Sequence, residues 1–268
     1  MKKRTLILCT VLTTISLSAL GFMNWNTIEK KILEIPDNKT VDSNNDYVTT
    51  TNEKVNTNLF FDLHSRYIHT ITKEKLDKAK SIGDIIPNHL AKKIEAFQTF
   101  KVSILDSNKE ISEVGENNLL NASQIKLLQS ANYSTNISIS ASYRAKDTVS
   151  PALKEDYLVC YMTIIPEEEA EYIFGNDVLV EYLKENSKEK TLMIDRDKLR
   201  PGKISFTVTG KGTISNVRLM STSGYPSMDK ELIKLITYIP KWNWKSAINS
   251  KGEKVDQELV LFFGMEGC

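Results

Sequence analysis

The sequence predicts an α+β protein in three parts: an N-terminal membrane helix, a sheet-rich α+β middle domain and a C-terminal β-β-α-β domain. Three observations lead there. Lys2, Lys3 and Arg4 precede an uncharged run from Thr5 to Ile28; apolar and polar residues alternate strictly from Ile204 to Thr209; and an apolar stripe of helical period runs from Met228 to Ile239.

At the N-terminus, three cations ahead of an apolar stretch place that end in the cytoplasm and send the downstream chain across the membrane. The apolar core, Leu6 to Met23, is about eighteen residues, near the minimum for a spanning helix. Thr10, Thr13, Thr14, Ser16 and Ser18 dilute it. Ala19-x-Gly21 also fits a small-residue cleavage site, so residues 1–28 read as either an uncleaved anchor or a removable signal peptide. Residues 29–58 are a linker. From Pro36 to Asn58 they are rich in Asn, Thr and Asp with too few apolar groups to order the chain. Fully extended that stretch spans about 75 Å, and as a coil about 26 Å.

Residues 59–166 form the middle domain. Thr72 caps a helix containing Leu76, Ala79 and Ile82, closed before Pro87. Phe97 to Leu105 reads as a strand, Asn121 to Leu128 as a short helix capped by Asn121, and Asn136 to Ala145 as an alternating strand. Asp156 to Pro166 completes it as a strongly apolar strand.

Residues 167–268 form the C-terminal domain. Ile204, Phe206 and Val208 define a half-buried strand, Gly210-Lys211-Gly212 a tight turn, and Ile214, Val217 and Leu219 a second strand whose phase slip predicts a bulge. Ser227 is the expected N-cap, with Asp229 and Glu231 complementing the dipole of a helix that runs to about Tyr238. Met228, Leu232, Leu235, Ile236 and Ile239 share one face of it, and Pro240 ends it. After the Lys251-Gly252 turn, Val255 to Phe263 form the last strand.

This order resembles the C-terminal domain of TonB-type energy transducers. "GKISFTVTGKGTISNVRLMSTSG" is similar to the family's opening hairpin, "MDKELIKLITYIPKWN" to its helix ending in Pro-x-Trp, and "GEKVDQELVLFFG" to its closing strand. "EEEAEYIFGNDVLVEYLKEN" resembles the lead-in helix of transducers of the Bacteroidetes type, so the likeness covers roughly Glu167 to Gly264. Two features depart from the pattern. Trp242-Asn243-Trp244 stands where a second Pro often follows, and the anchor holds no His separated from a Ser by three residues, Ser16 being followed at that spacing by Leu20. Either the anchor meets its motor differently or the protein is not energised.

The resemblance implies a TonB-like fold for residues 167–268 and binding by strand addition at an exposed last strand. The implied partner-binding residues are Val255, Gln257, Glu258, Leu259, Val260, Leu261 and Phe262, flanked by Trp242 and Trp244; a core role beneath the helix end is the other reading of Trp242. It further implies an inner-membrane, single-pass protein with its bulk in the periplasm. The partners would be outer-membrane receptors and a proton-driven motor pair, with a homodimer through the open edge as a further state. A non-energised periplasmic scaffold built on the same domain is the alternative.

Chemistry-bearing patterns are sparse. His64, His69 and His89 lack the spacing that puts two imidazoles on one helical metal site, and no Gly-x-Ser-x-Gly elbow, phosphate loop or zinc-protease signature occurs. Glu167, Glu168, Glu169 and Glu171 read as complements to a helix dipole rather than an acid/base cluster. No enzyme activity, metal or cofactor is expected. A net charge of +1 over 268 residues carries no nucleic-acid footprint. Cys160 and Cys268 read as a buried inert thiol and a loose terminal one, a bridge between them being the other reading.

Overall fold

Alternating segments of this chain become sheet and 3.6-period segments become helix, giving a mixed α+β architecture with few helices. The computed structural model describes residues 59–92, 94–106, 109–146, 153–239 and 244–265. The expected anchor and linker, residues 1–58, lie outside them, as do Trp242 and Cys268. Among the described residues no helix is long and apolar enough to cross a membrane.

The strands are β1 (Phe60–His64), β2 (His69–Thr72), β3 (Ala96–Asp106), β4 (Lys109–Gly115), β5 (Asn136–Lys146), β6 (Leu153–Ile165), β7 (Glu171–Tyr172), β8 (Gly202–Val208), β9 (Ile214–Ser221), β10 (Trp244–Lys245), β11 (Ala247–Ile248), β12 (Lys254–Val255) and β13 (Gln257–Gly264). The helices are α1 (Lys73–Lys78), α2 (Asn88–Ala91), α3 (Ala122–Ser130), α4 (Asn176–Thr191) and α5 (Pro226–Thr237). They build two main sheets over two apolar cores within a single unit, Val55–Cys268.

The middle sheet has the order β2-β6-β5-β3-β4, antiparallel except where β2 runs parallel to β6. One face carries Phe100, Val102, Ile137, Ile139, Cys160 and Met162 into a core shared with Leu76 of α1 and Leu128 of α3. Thr72 caps α1 as expected, its hydroxyl accepting the Lys75 N–H at 3.3 Å. The helix is shorter than expected: Ala79 is already extended, and Ile82 opens a separate 3₁₀ turn over Ile82–Asp84. Asn121 caps α3 through a reciprocal box with Gln124, in which each side chain accepts the other's backbone N–H. Burial pushes the Cys160 thiol above its usual range, which suits the inert role expected of it.

The C-terminal sheet has the order β1-β13-β8-β9, antiparallel throughout. The strand, strand, helix, strand succession holds in β8, β9, α5 and β13, with small pairs β7 with β10 and β11 with β12 alongside. Ile204, Phe206, Leu259, Leu261 and Phe263 face the core, where α4 supplies Leu179 and Leu183 and α5 supplies Met228, Leu232 and Ile236. The expected bulge is present. Ser205 pairs with Arg218 and Thr207 with Ser215, so Phe206 alone opposes two residues, one of which, Asn216, takes a φ of 52°. Gly202 lies directly beneath the Phe263 ring, where a Cβ would collide with it.

Two expectations change, and one residue gains a further role. Leu59, Phe61 and Leu63 belong to the C-terminal core rather than the middle one, because β1 pairs with β13. The N-cap of α5 is Tyr225, not Ser227, because Pro226 takes the first helical position, where its missing N–H costs nothing. Asp229 stands in the first turn of α5 as expected, and it does more there. It is 3% exposed and accepts from the Thr222 and Ser223 hydroxyls, each at 2.6 Å, and from the Ser223 N–H at 3.1 Å, tying the β9–α5 loop to the helix.

Candidate strand-pairing site

Strand addition needs an edge whose outward N–H and C=O groups are free. The expected edge was the last strand. In the structure β13 is an inner strand: β8 lies along one side, and on the other Phe60–His64 pair with Val260–Gly264. Beyond β1 the next stretch is closed too, because the Glu258 N–H donates to Ser134 Oγ at 2.8 Å. Ser134 reaches that position from a turn in which its own φ is 64°, an unusual conformation for a residue with a side chain.

Most of the implied binding residues are structural. Leu259, Val260 and Leu261 are buried. Gln257 is 1% exposed: its Oε1 accepts the Ala170 N–H and its Nε2 donates to Glu169 Oε2, both at 2.7 Å. That carboxylate oxygen also accepts from Ser65 Oγ at 3.2 Å, so one glutamate fastens the end of β1 to β13. Glu258 is bound by Arg218 at 2.6 Å, and the same guanidinium donates to Ser205 Oγ. Phe262 is half-buried, with His64 stacked on it at 4.3 Å and Lys203 Nζ at 5.3 Å from its ring centre. Val255 pairs with Ala247 in the small β11–β12 hairpin. Trp244 is a core residue, edge-on to Tyr172 and Phe206 at 5.5 and 5.6 Å. Only Glu258 and Phe262 of the β13 set keep partial access, and neither lies on a free edge.

The acidic run does serve a helix dipole, but not the one expected. Glu167 Oε1 accepts the Glu74 N–H at 2.9 Å, at the start of α1. Glu168 pairs with Lys245 at 3.4 Å, while Glu169 fastens β1 to β13. All four glutamates precede α4, whose N-cap is Gly175, with a φ of 89°. The fold also brings His69 and His89 to 6.0 Å between ring centres, a proximity that their sequence spacing does not reveal. Among the described residues no group of three or more His, Cys, Asp or Glu is arranged to hold a metal ion.

The outer positions of the C-terminal sheet are β1 and β9. Beside β1 lie two clefts of about 640 and 570 Å³ that meet at Asp62, Leu63 and Asn176, so a groove runs between β1 and the start of α4. The Leu63 N–H donates to Asp62 Oδ1 at 2.8 Å, a local cover rather than a ladder bond. The missed residues are therefore Phe60 to His64. Their signal was the alternation of Phe61 and Leu63 beside a polar linker. No known protein family, curated protein or solved structure matches the chain.

Proposed function

We propose that this protein is a membrane-anchored envelope component that binds extended segments of partner proteins by strand pairing, acting as an energy transducer of the TonB type on outer-membrane receptors. One observation carries the reading: the C-terminal sheet takes up an extended segment, Phe60–His64, that lies about 190 residues away in the chain, along the whole length of that segment. A sheet that accepts a strand so distant in sequence has the edge chemistry that strand addition uses. Residues 1–28 would be the inner-membrane anchor, a proton-driven motor pair the energy source, and the periplasm the site of action. No catalytic role is assigned.

A second reading, the non-energised scaffold, is favoured by a different observation. The β13 edge is already filled by β1 and Ser134, so a receptor segment has no vacant place there.

The test is uptake. Deleting the coding sequence should abolish accumulation of a labelled substrate too large for passive outer-membrane pores, and a protonophore should do the same in the parent strain. Unchanged uptake, or an intact mass showing residues 1–21 removed with the protein free in the periplasm, would sink the transducer reading and leave the scaffold.

A further inference from the structure

We infer that the outer edge of β1, in the groove against α4, is the strand-addition site, and that its occupant is an extended partner segment in which Lys or Arg alternates with apolar residues. This rests on the strand-pairing reading above but moves the site from β13 to the strand that covers it.

Elimination among the edges of this sheet leads to β1. The β13 edge is closed by β1 and Ser134. The β9 edge is irregular, with register shifts at two places and Asn216 at positive φ, so its hydrogen-bonding groups do not form the even row that an added strand needs. β1 has no register shift against β13, and among the described residues no strand lies on its other side. Its five residues span about 17 Å, room for a partner stretch of similar length.

Chemistry then selects the occupant. The groove is lined by Asp62, Glu169, Glu171 and Asp177 against Lys184 and the imidazole of His64, whose Nε2 stands 3.5 Å from Asp62 Oδ2. An acidic wall beside an open strand favours a cationic segment and disfavours an acidic one. Phe60, 42% exposed, and Val180 of α4 supply apolar contact for the alternate side chains. Asp62 has a second role. While the edge is empty its Oδ1 accepts the Leu63 N–H, and an incoming carbonyl takes that donor over, releasing Oδ1 to meet a cation of the partner while Oδ2 stays beside His64 Nε2.

The experiment uses the full-length protein in detergent with three synthetic probes: a Val-Lys-Val-Lys-Val-Lys peptide, its Val-Glu counterpart, and the basic peptide N-methylated at alternate amides. The basic peptide is expected to bind at least tenfold tighter than the acidic one, and N-methylation to abolish binding. Amide exchange should slow at Phe61 and Leu63 and stay unchanged in β13. Glu171→Lys with Asp177→Lys should weaken the basic peptide at least tenfold while leaving thermal unfolding in place. Equal affinity for the two charges, or no binding, overturns the proposal. So does new protection at Leu153–Tyr161 of β6, or a self-association that the peptide does not reverse, which gives the edge to a second copy of the chain. Faster exchange across Phe60–His64 on binding would mean that β1 is displaced from β13; that overturns this site while keeping strand pairing as the function, which the uptake test judges separately.

Discussion

In the C-terminal sheet a strand from the opposite end of the unit covers the vulnerable side of β13, whereas in the middle sheet β2 covers only Met162–Ile165 of β6 and leaves Leu153–Tyr161 without a strand neighbour on that side among the described residues. The consequences differ in kind. The first edge is closed by burial, since Phe61 and Leu63 enter the core with β1; beside the second, Tyr67 stacks on Tyr161 at 5.4 Å between ring centres. At two of the open edges the chain uses one local device. An aspartate covers the next residue's N–H, Asp62 on Leu63 and Asp156 on Tyr157, each at 2.8 Å. A charge held at a strand edge discourages indiscriminate pairing, so an exposed strand need not be a sticky one.

The contrast between the two sheets is lost most completely by emptying the place that β1 fills. Phe61→Ala should cost about 3–5 kcal/mol, the range for truncating a buried aromatic. Amide exchange should show the loss in β1, β13 and β8, while Ile139 and Val102 in the middle sheet keep their protection. Equal loss in both sheets would mean that the two cores unfold as one.

Next in size is Asp229→Ala, which leaves the Thr222 and Ser223 donors without their acceptor in a buried loop. A cost of about 2–3 kcal/mol is expected in denaturant unfolding. An unchanged midpoint would show the loop to be held by other contacts.

Gly202→Ala acts within the C-terminal sheet alone, because the Phe263 ring that lies on Gly202 is itself buried and has little room to yield. About 1–3 kcal/mol of destabilisation should appear as a lower melting temperature.

The smallest effect concerns the middle region. Asp84 accepts from the Lys80 N–H, the Ser81 hydroxyl and the Ser81 N–H, which together hold its carboxyl below the ordinary carboxylate value. A lowered folded-state value contributes stability above the unfolded pKa and loses it as pH falls through the folded one. The melting-temperature gap between the parent and Asp84→Asn should therefore be constant above about pH 5 and close on further acidification. A gap that widened in acid would refute the assignment.

How much of this was legible depended on how local the cause was. Thr72 and Asn121 announce their helices because a cap acts on N–H groups three residues away, and the β8–β9 bulge shows as a phase slip within six residues. β4, Lys109–Gly115, escaped because an edge strand with mostly exposed side chains carries little apolar period. β1 escaped for another reason. Its alternation is visible, but its partner sits at the far end of the chain, and nothing in Phe60–His64 says which sheet it joins. The same gap misplaced the site: an exposed last strand was the natural inference until β1 occupied its side. Trp244 looked like a contact residue because a Trp near a loop suits either role, and only burial against Tyr172 and Phe206 decides it.

The pairing of β1 with β13 also sets a timetable for biosynthesis. Phe60–His64 leave the ribosome about 190 residues ahead of Gln257, a delay on the order of 10–40 s at usual elongation rates. Throughout that interval two adjacent phenylalanines and an unpartnered strand must stay soluble without the sheet that will receive them. The middle sheet holds all its strands within His69–Ile165, but the C-terminal one waits for Gln257–Gly264. A ribosome that stalls before Gln257 therefore releases a chain in which β1 has nowhere to go, and Phe61, buried in the finished fold, stays uncovered.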